Sequence, residues 1–368
     1  MRAVLLTPKP LTFPGGGERY ALLLRSLLER CGLAVAVRSP WDEPEPSDLL
    51  ILNGGQGTLI WSAASWVRRA DKVWVIPHES LRTSTRLTGL HWRRPTDEVL
   101  AYGLSTVLRR AAKQKSLTLI AVSRANAEEM RRDLGLEPAC IPNGVWLPEP
   151  RETPLVRQLR RKKADHDLMG AIIARWDPVK HPALMTGLAR SLPEGIGLLL
   201  VSSPDNFYAP LARYKLIPWP PFQHPGVEWL GEQKPEELAA LLGLLDFVLL
   251  PSRYESFGYV GLEAAMMGAI PFLTPVGVGA DLKEHLVLQD LVLDLPPHGR
   301  MSPAEAWERI LWLRDEGFKK WVSSALAEFL PQYSLEAWER RFVGLLEQTF
   351  PGHRFAYRPR ADLISRAI

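Results

Sequence analysis

The sequence predicts an α/β protein made of two doubly wound, Rossmann-like domains in tandem. Three observations carry this. The chain has 368 residues, and at roughly 100–200 residues per domain that is material for about two. Short, almost wholly apolar runs alternate with amphipathic ones, the pattern of parallel strands covered by helices on both faces. The alternation runs through two series, separated by a polar stretch with prolines at 148–165. The expected boundaries are a first domain at 1–150, a second at 151–330 and a C-terminal helical segment at 331–368 that crosses back to the first domain. Two such sheets in tandem are expected to face each other across a cleft. In open parallel sheets ligands bind beyond the carboxyl ends of the strands, so residues just after strands are the place to look for chemistry.

Residues 2–7 (RAVLLT) read as the first strand, followed by FPGGGERY and a helix at 18–30 with apolar Ala21, Leu22, Leu24, Leu27 and Leu28. Gly32 stops that helix. Strands follow at 33–37, 48–53, 72–76 and 117–123, the third ended by Gly54–Gly55 and the fourth by Pro77–His78. A helix at 124–134 ends at Gly135, and a short strand at 139–141 closes the series. Residues 80–98 read as a basic loop with Arg82, Arg86, His91, Trp92, Arg93 and Arg94. The second series has strands at 168–174, 197–202, 227–230, 247–251 and 270–274, with helices at 182–190, 236–242 and 259–268 between them. Residues 302–350 are helical and Trp-rich, with a last helix at 334–349 after the Pro331–Gln332–Tyr333 break.

Composition excludes several classes. A hydrophobic fraction of 46% and a charged fraction of 23% are ordinary for a globular protein and rule out disorder and fibrous repeats. No apolar run reaches the roughly 18 residues of a membrane helix, so no transmembrane segment is expected. The N-terminal apolar stretch is too short for a secretory signal and reads as a strand. Two cysteines, Cys31 and Cys140, exclude a disulfide framework and point to the reducing cytoplasm. The net charge of +4 is too small to argue for nucleic acid as a partner, but it allows a basic pocket for a phosphate-bearing ligand. Arg outnumbers Lys 33 to 12, Asn and Gln together number only 12, and Pro reaches 32. That bias fits a thermophilic source and GC-rich codon usage equally well.

The richest stretch is 247–268, FVLLPSRYESFGYVGLEAAMMG. An apolar strand ends at Pro251, a polar loop carries Glu255, and a helix opens at Gly258 with Glu263 inside it. A helix N-terminus attracts anions, and carboxylates accept hydrogen bonds from vicinal hydroxyls, as in ribose recognition. Two carboxylates beside such a helix start suit a ligand with both hydroxyls and phosphates. The competing reading of Glu263 is an ordinary acid favoured by the helix dipole.

This run resembles the Glu-x7-Glu signature of retaining GT-B glycosyltransferases of the family 4 type (glycosyl transferases group 1). Several other segments match the same family in order: FPGGGERYALLLRSLLERCG, AVSRANAEEMRRDLG with the later IPNGV, AIIARWDPVKH, and VEWLGEQKPEELAALLGLLDFVLLPS. The resemblance implies a GT-B enzyme that moves a sugar from a nucleoside diphosphate-sugar, of the UDP or GDP type, to a hydroxyl on a saccharide, lipid or small-molecule acceptor. It implies retention at the anomeric carbon, a donor domain at 151–330 and an acceptor domain at 1–150. Arg175 and Lys180 are expected at the donor diphosphate, where a guanidinium fork and an ammonium both suit phosphate oxygens. Glu255 is expected at donor-sugar hydroxyls, Glu263 at the ribose, and the backbone N–H groups of Ser256, Phe257 and Gly258 at sugar or phosphate. Gly15, Gly16 and Gly17 would let the backbone approach the diphosphate closely. His78 would lie near the acceptor, orienting its hydroxyl or sharing its proton; a structural histidine is the alternative. The basic loop is a candidate contact for an anionic acceptor or for lipid headgroups at the inner membrane face, against the plainer reading of an exposed basic loop. The sequence departs from the family pattern at Ser202–Ser203–Pro204 and at Val278–Gly279–Ala280–Asp281. Asp165–His166–Asp167 resembles a metal motif of another glycosyltransferase fold, but it precedes a strand and is read as incidental. No cluster has metal-ligand spacing, so no metal is expected. The rival functions are a sugar-nucleotide epimerase of the same architecture, a pyridoxal-dependent glycosyl phosphorylase, for which no lysine site is evident, and a degenerate scaffold that binds polyanions.

Overall fold

A computed structural model describes residues 1–11, 15–55, 59, 64–88, 94–114, 116–203 and 220–359. His91, Trp92, Arg93 and Pro204 lie outside the described residues. The chain divides into two compact units. The first comprises Met1–Arg86, Leu90–Gly144 and Tyr333–Ile368; the second comprises Leu87–Gly89 and Val145–Gln332.

The first unit contains β1 (Arg2–Leu6), α1 (Gly16–Arg30), β2 (Ala34–Arg38), β3 (Ser47–Gly54), β4 (Ala70–Pro77), α2 (Leu81–Thr88), α3 (Arg94–Gln114), β5 (Ser116–Ala121), α4 (Arg124–Leu134) and β6 (Ala139–Cys140). Its strands pair in parallel in the order β2-β1-β3-β4-β5-β6. The apolar strand residues, among them Val4, Leu50, Val73 and Leu119, form a core against Leu104 and Leu108 of α3 and Met130 of α4.

The second unit contains α5 (Pro154–Lys163), β7 (Leu168–Ile173), α6 (Pro182–Arg190), β8 (Ile196–Val201), β9 (Val227–Leu230), α7 (Pro235–Leu242), β10 (Phe247–Leu250), α8 (Tyr259–Met266), β11 (Ile270–Leu273), α9 (Val278–Lys283), α10 (Pro303–Ile310) and α11 (Glu316–Phe329). Its parallel order is β11-β10-β7-β8-β9. β7, β8, β10 and β11 are buried along their whole length, which is why they read as unbroken apolar runs, whereas the edge strand β9 is mostly half-buried.

The last helix, α12 (Leu335–Thr349), belongs to the first unit. Trp338 meets Tyr20 edge-on with ring centroids 5.7 Å apart, and Phe342 packs on Trp74 at 5.8 Å. The Trp74 indole N–H donates to the Thr349 hydroxyl at 3.1 Å. Glu339, 2% exposed, accepts from Arg30 of α1 and from the Tyr357 hydroxyl.

The structure corrects the reading of 80–98 as a loop. Residues 81–88 are helical, and α3 begins at Arg94. In α3 the buried positions Ala101, Leu104, Leu108 and Ala111 keep helical spacing. α2 is short and mostly polar: with Leu81 it buries Thr83, Ser84 and Thr85, so it carries too few apolar residues to read as a helix. Gly16 and Gly17 also lie inside α1 rather than in a loop before it, with Gly15 as its extended N-cap residue.

Candidate active site

Each sheet reverses its strand order at one place, and the expected site residues gather there. In the second unit the reversal falls between β7 and β10, which pair directly while β8 lies on the other side of β7. Ligands of doubly wound sheets bind beyond the strand ends at such a switch point. Beyond β7 the chain passes Arg175 and makes a 3₁₀ turn, Pro178–Lys180, whose N-terminus is capped by the Asp177 carboxylate accepting from the Val179 N–H at 2.8 Å. Beyond β10 comes the loop with Glu255. The two segments are tied by backbone: the N–H groups of Arg253 and Tyr254 donate to the Val179 carbonyl at 2.8 and 3.3 Å.

That tie brings Lys180 and Glu255 together. The Lys180 ammonium donates to Glu255 Oε1, and the Ser252 hydroxyl donates to the same oxygen at 2.9 Å. Both partners of the ion pair are mostly sheltered, with side chains 20% and 18% exposed. Glu255 also lines a small pocket with Gly258, Thr274 and Val278. Glu263 is 4% exposed inside α8, whereas an acid that merely decorates a helix stays in water. Phe257 is buried against Tyr259, and Gly258 caps α8 at φ 93°, a backbone state that favours glycine. Ser256 lies between Glu255 and these residues. Arg175 is exposed and makes no ion pair with a described residue.

Sequence reasoning passed over three neighbours. Gly277 takes φ 54°, and a Cβ there would fall 2.3 Å from the Phe257 carbonyl oxygen. This close approach lets the Val278 N–H donate to that carbonyl at 2.7 Å and holds the Glu255 loop against α9. His181 ends the Lys180 turn at φ 61°, where a non-glycine residue is strained. Burial lowers its pKa to about 4, and the positive charges of Arg253 and His298 add to the effect. Ser252 stands in the 247–268 run, where a lone serine after a strand carries no signal of its own.

In the first unit the order reverses between β1 and β3. Asn53 is the penultimate residue of β3 and His78 follows β4, with Gly15–Gly17 beyond β1. The Asn53 amide N–H donates to the Gly17 carbonyl at 3.4 Å, which turns its Oδ1 toward His78 Nε2 at 2.6 Å. An amide oxygen only accepts, so Nε2 carries the proton and Nδ1 keeps the free lone pair. Tyr20 packs edge-on to the imidazole at 4.9 Å. Burial pulls the His78 pKa down to about 4, so the ring is neutral near pH 7. Asn53 was not singled out from the sequence. Its signal is a polar side chain closing an apolar strand, DLLILN.

Among the described residues no group of three or more His, Cys, Asp or Glu is placed to hold a metal ion, and no helix is long and apolar enough to cross a membrane. Asp167 accepts from Arg314 at 2.8 Å, an exposed structural contact.

Comparison with known proteins agrees with this layout. Residues 223–294, which include Glu255 and Glu263, match the family profile "Glycosyl transferases group 1". A D-inositol 3-phosphate glycosyltransferase of Mycobacteroides abscessus is 28% identical over 207 residues; the match spans 56% of this chain and 44% of that protein. Sucrose-phosphate synthase from Thermosynechococcus elongatus superimposes with a TM-score of 0.73 at 17% identity, over 96% of this chain and all of that one. Anabaena Alr3699/HepE in complex with UDP-glucose does so with a TM-score of 0.66 at 18% identity, over 95% and 100%. The chain thus has the two-domain α/β GT-B fold, and its 223–294 segment carries the glycosyl transferases group 1 pattern.

Proposed function

We propose that the protein is a glycosyltransferase that moves a sugar from a nucleoside diphosphate donor, of the UDP or GDP type, to an acceptor hydroxyl with retention of anomeric configuration. The observation that carries this reading is the junction of Lys180 and Glu255 at the switch point of the second sheet, with Glu255 inside the matched family segment. The UDP-glucose held by the Anabaena relative supports a nucleotide-sugar as donor.

In this reading the second unit holds the donor. Arg175 and Lys180 bind the diphosphate and offset the charge that grows on it as it leaves. Glu255 accepts hydrogen bonds from donor-sugar hydroxyls, and the buried Glu263 accepts from the ribose. Backbone N–H groups of Ser256, Phe257 and Gly258 serve sugar or phosphate. In the first unit His78, neutral and protonated on Nε2, offers Nδ1 to a hydroxyl, and Gly15, Gly16 and Gly17 let backbone approach phosphate. No protein nucleophile is assigned; the leaving phosphate assists attack on the same face of the sugar. The chemistry requires no metal, because Arg175 and Lys180 supply the countercharge. Free Cys31 and Cys140 suit a cytoplasmic enzyme.

A thermal-shift panel of UDP, GDP, ADP and TDP with their sugars tests the reading, because a ligand that binds only the folded state raises its melting temperature. One nucleotide family is expected to stabilise the protein, and Lys180→Ala and Glu263→Ala each to abolish the shift. Unchanged nucleotide affinity in both variants would overturn the site assignment. Donor consumed without any acceptor would favour an epimerase.

A further inference from the structure

We propose that a second polar pocket, confined to the first unit, binds a phosphate group. It has a volume of about 230 Å³ and lies between α2, the first turn of α3 and the end of α4. One water takes up about 30 Å³ of liquid, so a phosphate with several attached atoms fits.

Its charges are sorted rather than mixed. Arg82 donates to Glu98 at 2.7 Å. Arg132 donates to the Thr83 hydroxyl at 2.5 Å and pairs with Asp133 at 3.4 Å. Asp133 also accepts from the Ser80 hydroxyl, and Asp97 accepts from the Thr85 hydroxyl. The two aspartates are each only 3% exposed, so their charges are held by these donors away from solvent. That leaves Arg86 and Arg94 on the pocket wall, both exposed and neither ion-paired with a described residue. A cation would meet carboxylates already supplied with hydrogen bonds and two open guanidiniums. An anion meets two guanidinium forks, whose geometry suits phosphate oxygens, beside the positive end of the 21-residue helix α3.

The pocket is joined to His78 through the chain: Ser80, whose hydroxyl anchors Asp133, is two residues further along the same segment. A phosphate bound here therefore belongs to a ligand of the first unit. Assigning that ligand as a phosphorylated acceptor rests on the glycosyl-transfer reading above; the binding itself does not.

Calorimetry with inorganic phosphate and with glucose 6-phosphate tests the pocket on the whole protein, together with co-sedimentation on phosphatidylcholine vesicles with and without phosphatidylglycerol. At least one phosphate source is expected to bind, and Arg86→Gln/Arg94→Gln to weaken it at least tenfold while UDP affinity stays within twofold. Binding of glucose 6-phosphate identifies a soluble phosphate ester as the source; binding of the anionic vesicles alone identifies a lipid headgroup. Because both arginines are exposed and unpaired, the double variant keeps the fold, which the unchanged UDP affinity verifies. No binding of any probe, or binding that survives the double substitution, overturns the proposal. A phosphate ester that binds but accepts no sugar leaves the pocket standing and counts against the transfer reading.

Discussion

Replacing Glu255 with Gln separates two roles that its ion pair with Lys180 combines. In the free protein the Lys180 ammonium is engaged by Glu255 in a largely sheltered setting. Two unit charges about 4 Å apart attract by about 4 kcal/mol at an effective dielectric constant of about 20. Desolvation and remaining solvent contact reduce the net value of such a pair to about 1–2 kcal/mol. A diphosphate that recruits Lys180 must draw it away from Glu255. With the carboxylate gone that competition ends, so Glu255→Gln is expected to bind UDP as tightly as the wild type or up to about tenfold more tightly, since 1.4 kcal/mol is a factor of ten. In the proposed donor role of Glu255, however, the donor sugar loses a charge-assisted hydrogen bond worth about 1.5–3 kcal/mol, so transfer from the nucleotide-sugar falls by about 10–150-fold. Lys180→Ala behaves in the opposite sense, weakening UDP itself. Calorimetric UDP titration and initial-rate measurement on both variants suffice. Parallel losses of UDP affinity in Glu255→Gln and Lys180→Ala would refute the competition.

Three other outcomes are expected. Asn53→Ala leaves the half-buried His78 Nε2–H without its acceptor, a defect of about 1–3 kcal/mol; turnover should fall about 10–100-fold with UDP affinity unchanged, and the ¹⁵N shifts of His78 should show a changed tautomer balance, whereas unaltered shifts would sink the assignment. His78 and His181 both have folded pKa values of about 4, below the usual 6.5 of the unfolded chain, so their stabilisation is complete above pH 6.5 and is lost as pH falls toward 4. The urea midpoint should drop over that window, and less steeply in His181→Asn, because Asn tolerates the left-handed backbone and removes one titration; identical slopes would contradict this. Gly277→Ala drives a Cβ toward the Phe257 carbonyl, so the melting temperature and UDP affinity should both fall, and a variant matching the wild type in both would show that the Glu255 loop does not depend on that contact.

The strands were legible because each is short, apolar and closed by a turn residue; the strand Val227–Leu230 matches the sequence reading to the residue, as does the helix Pro182–Arg190. Lys180 and Glu255 were legible because each follows a strand within a recognisable run, although their ion pair was not: it depends on β7 lying beside β10, a pairing across 75 residues. Asn53 was hidden for the same reason. It meets Gly17 and His78 only because β1, β3 and β4 are neighbours. The helices around the phosphate pocket were obscured by chemistry, since α2 buries hydroxyls and its Arg82 finds the Glu98 carboxylate and the Asp133 carbonyl far along the chain. Apolar runs report helices that bury apolar faces, and α2 buries three hydroxyl residues beside a single leucine.

The placement of α12 sets an order of events during synthesis. Tyr20 and Trp74 are completed in the first unit by Trp338 and Phe342, yet α12 is made about 190 residues after that unit's last strand, roughly 10–40 s later at about 5–20 residues per second. During that interval the nascent first unit shows aromatic surface that nothing yet covers. The second unit, almost contiguous in the chain, has all its strands before α12 appears. On the ribosome the later-made unit is therefore the first able to close, and the edge-on support of Tyr20 against His78 is finished last. The aromatic core of the first unit is complete only once α12 has been made.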